Sequence, residues 1–295
     1  MNKNAIIKKR NFYNTRNAFF YTFLTLNCFF GGALQAQPFD KTKDILIAQF
    51  DNKEDADDIH SQAGLACILA HPDAKDVKFF AVAGAYGKQP GEFVDSRSLF
   101  YMAFGVENGL WTDAHKDRVT SVIRIKDKVK PILLAGGKAW VQEAGQSDVT
   151  LLWINALLTD GVPAATVKSN VIIVQHSRWN ENQASAGVLD TVKLKATYIK
   201  IEDGNSVNAT PGYKSSDKTF MIEVLSSANK NSLARDVWTE ADKIIKASGF
   251  NASYSTIPGG GVDFSDDVEV WHILGLGNNA FSIRNFWDRY VVNVP

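Results

Sequence analysis

Cysteine is almost absent, Cys28 and Cys67 being the two in 295 residues, so no disulfide framework holds the fold and its core must come from apolar burial. Only eight prolines, and 21 glycines without a period, exclude a collagen-like or low-complexity chain. Net charge is lacking as well, with 32 basic residues against 32 acidic ones. So is an unbroken apolar stretch of about 20 residues, the length a membrane span needs, because the run Ala18–Leu34 is interrupted at Asn27. What is present, 45% hydrophobic and 22% charged residues, suits one large globular domain.

The charges are unevenly placed. Residues 1–36 carry Lys3, Lys8, Lys9, Arg10 and Arg16 and no acid; without them 27 bases face 32 acids, a balance that argues against a nucleic-acid partner. A basic opening, an apolar run and the small-residue end Ala33-Leu34-Gln35-Ala36 read as a secretory signal cleaved after Ala36. The expectation is a secreted or periplasmic protein with no stable membrane insertion after cleavage, and a single domain over residues 37–295 with Cys67 as its one thiol. Self-association is left open.

Strand-like and helix-like stretches alternate from residue 44. Asp44–Phe50 is an apolar run of strand length. Ile59, Ala63, Ala66, Cys67 and Ala70 form a helical stripe that stops at His71-Pro72, and Val77–Ala83 reads as the next strand, a β-α-β unit. The pattern then predicts a helix over Phe93–Phe104, strands at Val119–Ile125 and Pro131–Ala135, helices through Trp140 and Leu151–Leu158, and a strand at Asn170–Gln175. Gly204–Asp217 reads as a long loop, and Val237, Ala241, Ile244 and Ile245 mark an amphipathic helix ending at Gly249. Nearly continuous apolar strands alternating with helices predict an α/β fold, a doubly wound, mostly parallel sheet with its ligand at the carboxyl ends of the strands.

The most informative stretch follows the first strand. Asp51-Asn52-Lys53-Glu54-Asp55-Ala56-Asp57-Asp58 places five carboxylates in eight residues. One or two acids suit a helix N-cap and first turn; five repel one another unless a cation or raised pKa values relieve them, which points to a hard metal ion. A second polar cluster, from His176 to Gln183, follows the strand ending at Gln175. His176 can act as acid or base, Arg178 can pair with a carboxylate or sulfate, Trp179 can stack on a sugar, and Asn180 and Glu181 suit hydroxyls; the alternative is a solvated surface loop. Tyr86, Lys88 and Arg97 could join the same anion-friendly rim or be ordinary surface residues. A glycine turn, Gly259-Gly260-Gly261, delivers Asp263, Asp266 and Asp267 to a helix start, where they read equally as ligands or as caps.

An acid at the end of the first strand followed by an Asp-Asp pair opening the first helix resembles the nucleoside hydrolase-like superfamily, with Asp51, Asp57 and Asp58 on that pattern. Pro131–Trp140 is similar to the buried strand, small-residue turn and helix of its secreted bacterial branch, and Val171–Ser177 to the strand after it. The resemblance covers residues 44 to about 190. It implies a calcium ion held by Asp51 and Asp58, a water activated by Asp51, and sugar hydroxyls contacted by Asp57. The sequence departs from the pattern at Gln49, where the family has an acid, and lacks the Pro-Gly that follows the second acid, which argues against a nucleoside substrate.

Three functions follow. The first is a secreted, calcium-dependent hydrolase of a glycosidic O- or N-bond in an oligosaccharide or sugar conjugate, with Asp51, Asp57 and His176 catalytic and Lys53, Tyr86, Arg178, Trp179, Asn180 and Glu181 binding substrate. The second is elimination from a uronic-acid-containing oligosaccharide, a dehydratase or lyase reaction in which a cation neutralises the carboxylate and a base removes the adjacent proton. The third is a glycan-binding protein without catalysis.

Overall fold

In the computed structural model, which describes residues 38–292 apart from 54–55, 108, 207 and 250–255, the apolar runs become six parallel strands. The chain order is β1 (Ile45–Phe50), α1 (Asp57–Ala70), β2 (Lys78–Ala83), α2 (Arg97–Phe104), β3 (Trp111–Asp113), α3 (Arg118–Leu134), β4 (Ala139–Ala144), α4 (Asp148–Thr159), α5 (Ala164–Asn170), β5 (Val171–Gln175), α6 (Arg178–Gln183), α7 (Val188–Lys195) and β6 (Thr197–Lys200). There follow β7 (Lys214–Ser215), α8 (Thr219–Leu225), α9 (Ser232–Ser248), β8 (Val262–Asp263), α10 (Asp267–Leu274) and α11 (Ile283–Phe286), with β7 and β8 forming a separate antiparallel pair. The expected signal, residues 1–36, lies outside the described residues. Among those described, no helix is long and apolar enough to cross a membrane.

The main sheet runs β3-β2-β1-β4-β5-β6, so the order reverses between β1 and β4. Alternate side chains feed two cores. Leu46, Ala48 and Phe50 of β1 pack in one layer with Ile59 and Ala63 of α1, Val237 and Trp238 of α9, and Val268 of α10. Ile45 and Ile47 face the other layer with Ile125 and Val129 of α3 and Trp153 and Leu157 of α4. Each large apolar side chain so buried contributes about 1.5–3 kcal/mol. A sheet covered on both faces, with β strands too apolar to alternate, is the doubly wound architecture, and its crevice lies at the strand ends between β1 and β4.

Several expected elements change type. Val119–Ile125 and Pro131–Ala135 are not strands: both lie within or at the end of α3, whose buried Ser121, Ile125, Val129 and Leu133 recur every four residues between exposed charges, with Asp117 capping its start by accepting the Thr120 N–H. Trp140 lies in a strand, β4, the middle of the sheet, where Gln142 and Glu143 interrupt the apolar run that would have marked it. The stretch Pro131–Trp140, on which part of the resemblance rests, therefore runs helix, turn, strand, the reverse of the order expected. The edge strands β3 and β6 are too short to read, α2 begins at Arg97 and not at Phe93, and the polar stretch after β5 is a helix, α6.

Candidate functional site

A cavity of about 510 Å³ opens at the carboxyl ends of β1, β4 and β5, beside the reversal point of the sheet. Asp51 enters it from the exit of β1, Asp57 and Asp58 from the start of α1, His176 from the exit of β5, and Asp266 from the residue preceding α10. Trp179 and Asn180 of α6 line it too.

The acids are locked in place by the turn between β1 and α1. Asn52 stands at φ 57, a left-handed conformation that few residues other than glycine tolerate and asparagine tolerates best. Its side chain holds the turn: Nδ2 donates to Val94 O at 3.1 Å and Ser96 Oγ at 2.6 Å, and Oδ1 accepts from Gln62 at 2.7 Å. Its backbone N–H then donates to Asp58 Oδ2 at 2.7 Å. Asp51 Oδ1 accepts the Lys53 N–H at 2.8 Å and Oδ2 accepts Gln146 Nε2 at 3.0 Å, while Gln146 also donates to Asn180 Oδ1 at 3.2 Å.

These carboxyls are buried together. Burial pushes Asp51 up to about 6, against hydrogen bonds from Asp58, the Lys53 N–H and Gln146 that lower it. Asp58 and Asp266 are driven well above the carboxylate range, by burial first and then by neighbouring carboxylates, Asp51 and Asp57 among them. Asp57, Asp58 and Asp266 each offer an oxygen within 4.8 Å of the other two, and Asp58 Oδ1 is buried with no hydrogen-bond partner. A hard divalent cation fits this donor set, because it accepts carboxylate oxygens and relieves their repulsion. The triad differs from the expected pair: Asp58 belongs to it, Asp266 replaces Asp51, and both oxygens of Asp51 already accept hydrogen bonds.

His176 is fixed by Glu269, a residue of α10 that the sequence reading passed over. Glu269 Oε1 accepts the His176 backbone N–H at 2.9 Å and lies 3.0 Å from Nδ1. Burial works against a charged His176 ring, but the charge and hydrogen bond of Glu269 outweigh it and leave the imidazole above its ordinary value. On the far side Nε2 is 3.4 Å from Nδ2 of Asn205. The orientation of that amide follows from its donor, since Oδ1 accepts Lys214 Nζ at 3.0 Å. Deprotonated His176 is thereby held with its proton on Nδ1 and its lone pair on Nε2.

The remaining expected residues scatter. Glu181 is tied to Lys193, Lys200 and the Tyr198 hydroxyl, at 3.2, 3.2 and 3.0 Å, and is not among the cavity's lining residues. Arg178 is exposed on α6 and also outside the lining. Lys53 and Tyr86, also outside the lining, meet beside Gln89 of the cavity wall, with Lys53 Nζ 4.1 Å from the ring centre. Of the late acids only Asp266 reaches the cavity: Asp263 pairs with Lys214 at 2.9 Å, and Asp267 is sealed in the core against Gly64. His60 is structural, accepting the Asp263 N–H at 3.3 Å and packing on Trp238. Gln49 turns to the opposite layer, donating to Thr150 Oγ1 at 2.6 Å and accepting from Trp153 Nε1 at 3.3 Å. No family model, curated protein or solved structure matches the chain.

Proposed function

We propose that the protein is a carbohydrate-active hydrolase that cleaves a glycosidic bond, O- or N-linked, in a nucleoside hydrolase-like fold, acting outside the cytoplasm as its basic, apolar leader suggests. The observation that carries this reading is the convergence of Asp51, Asp57, Asp58, Asp266 and His176 on one cavity at the strand ends. Asp57, Asp58 and Asp266 would hold a calcium ion. Calcium bound there supplies sites for sugar hydroxyls and lowers the pKa of a water.

The chain's own groups do the proton work. Asp51, buried and hydrogen-bonded by Lys53 N–H and Gln146, is oriented to take a proton from the attacking water. His176, with Nδ1 on Glu269, exchanges its mobile proton at Nε2 with the leaving group. Trp179, about half exposed at the mouth, offers a flat face for a sugar ring, and Asn180 a polar edge.

Elimination is the second reading, favoured by one observation: Asn205, oriented by Lys214, turns its amide N–H toward Nε2 of His176, which leaves the lone pair of the neutral ring on that atom, the state a base needs to remove a carbon-bound proton. The test is mass spectrometry of neutral and acidic oligosaccharides and nucleosides incubated with the mature protein, with calcium or a chelator, beside Asp51→Asn. The hydrolase reading expects a product pair summing to substrate plus one water, lost on chelation and in Asp51→Asn. Products without added water, or a product one water lighter, give elimination instead; binding of a glycan with no turnover gives a lectin-like protein.

A further inference from the structure

A cationic cluster stands beside the cavity wall at Gln89, and among the described residues no carboxylate is paired to it. Lys53 Nζ lies 4.1 Å, and the Arg118 guanidinium carbon 5.0 Å, from the centre of the same Tyr86 ring. Among the described residues neither makes an ion pair; Lys53 donates to Gln89 O and Arg118 to Tyr86 O, each at 3.2 Å. Backbone carbonyls satisfy donors without cancelling charge. Two like charges gathered around one aromatic ring repel each other, and the arrangement becomes favourable when an anion joins them. Arg118 also sits in the first turn of α3, the end of a helix where a cation opposes the dipole, so the helix gains nothing from its charge.

The cluster is held ready. The Tyr86 hydroxyl is 2.9 Å from Nδ1 of His115, whose ring stacks on Phe93 with centres 4.0 Å apart and planes at 4°. Asp95 is occupied by Arg97, whose Nε lies 2.9 and 3.0 Å from its two oxygens. Lys53, Tyr86 and Arg118 are all partly buried, and the cluster adjoins the cavity directly: the Lys53 backbone N–H holds Asp51, and Gln89 lines the wall.

We infer that Lys53, Arg118 and Tyr86 form an anion subsite that takes the carboxylate or sulfate of an acidic saccharide while its neighbouring sugar occupies the acidic cavity. The inference rests on the carbohydrate reading above and narrows it: a neutral sugar has no use for two cations beside the cavity without a carboxylate partner among the described residues, whereas paired oxygens of a carboxylate or a sulfate suit the forked donors of an arginine.

Calorimetric titration of the mature protein in calcium tests this, with a glucuronate-containing tetrasaccharide, the same tetrasaccharide with its carboxyls reduced to alcohols, and a sulfated galactan tetrasaccharide with its desulfated form. Wild type is expected to bind at least one charged form tenfold or more tighter than its neutral counterpart, and the pair that shows this identifies the carboxylate or the sulfate. Lys53→Gln and Arg118→Gln, each checked for an unchanged melting temperature, should each remove most of the preference while retaining the neutral affinity. Equal binding of charged and neutral forms, or a preference that survives both substitutions, overturns the subsite and leaves the carbohydrate reading standing. No binding of any of the four saccharides overturns the subsite and counts against the carbohydrate reading as well.

Discussion

The backbone N–H of Asn52 donates to Asp58 Oδ2 at 2.7 Å, joining the exit of β1 to the first turn of α1 across a left-handed residue at φ 57. One residue thus sets both the turn and the aim of a carboxylate of the acidic triad. Asn52→Ala keeps the backbone donor but loses the side-chain bonds to Val94, Ser96 and Gln62 and must hold alanine in the left-handed region. It is expected to cost about 2–4 kcal/mol by urea denaturation. Asn52→Gly removes the same bonds without the backbone strain and should fall between the two. Three equal midpoints would show that the side chain does not hold the turn.

Calcium should raise the melting temperature of the mature protein. At a hundred times its dissociation constant a ligand adds about 2.7 kcal/mol, on the order of 5–10 °C for a domain of this size. Asp58→Asn and Asp266→Asn each remove a donor of the triad and should abolish that gain. In chelator at neutral pH the same substitutions are expected to stabilise, because burial among other carboxyls forces each of these acids to take up a proton on folding and an amide has none to take up. Scanning calorimetry with and without calcium reads both effects; a calcium gain undiminished in both variants would remove the triad from consideration.

How far the site could be read from sequence depends on where each residue lies. Asp51, Asp57 and Asp58 are legible because one strand exit and one helix start deliver them within eight positions. Asp266 was partly legible, since a glycine turn before an acidic helix start suggests a site, but nothing in the spacing distinguishes it from Asp263 and Asp267, which fold toward Lys214 and Gly64. Glu269 was not, because its partner His176 is distant in sequence and only the docking of α10 against the end of β5 joins them. The fold shows the same division: strands buried on both faces declare themselves when four apolar residues run together, as Ile45–Ala48 of β1 and Val171–Val174 of β5 do, whereas β4 hides behind Gln142 and Glu143, and α3 mimics a strand through Val119, Val122, Ile123 and Ile125, of which only the last lies on its buried stripe.

Glu269 should control the protonation of His176. Removing its charge leaves burial opposed only by the smaller effects of the Asp203 and Asp57 charges, so Glu269→Gln is expected to lower the His176 pKa. Nitrogen NMR shifts of the imidazole across a pH series would show it, and would show the proton of the neutral ring on Nδ1 in wild type. Once a substrate is found, the same variant should lose activity by about 10²–10⁴-fold. An unchanged His176 titration would mean that Glu269 only packs against the ring.

Glu143 makes the cleanest pH prediction because it lies apart from the acidic triad, in the layer beneath the sheet. Thr150 Oγ1 donates to its Oε2 at 2.9 Å and Oε1 has no partner. Burial pushes this carboxyl up to about 7, against hydrogen bonds from Ser147 and Thr150 that lower it. Between pH 4.5 and 7 the folded protein therefore keeps a proton that the unfolded chain has released. The stabilisation is fully present below about 4.5, declines as pH rises through 7, and amounts to about 3 kcal/mol between the two limits. Glu143→Gln has no proton to lose, so the stability of wild type relative to this variant should fall across that window and level off above it. The difference between the two proteins isolates the group, because Asp51, Asp58 and Asp266 titrate in both. Urea denaturation at pH 4.5, 6, 7 and 8 measures it. A difference that stays flat over the series would place the Glu143 pKa in its ordinary range and require an unrecognised donor at Oε1.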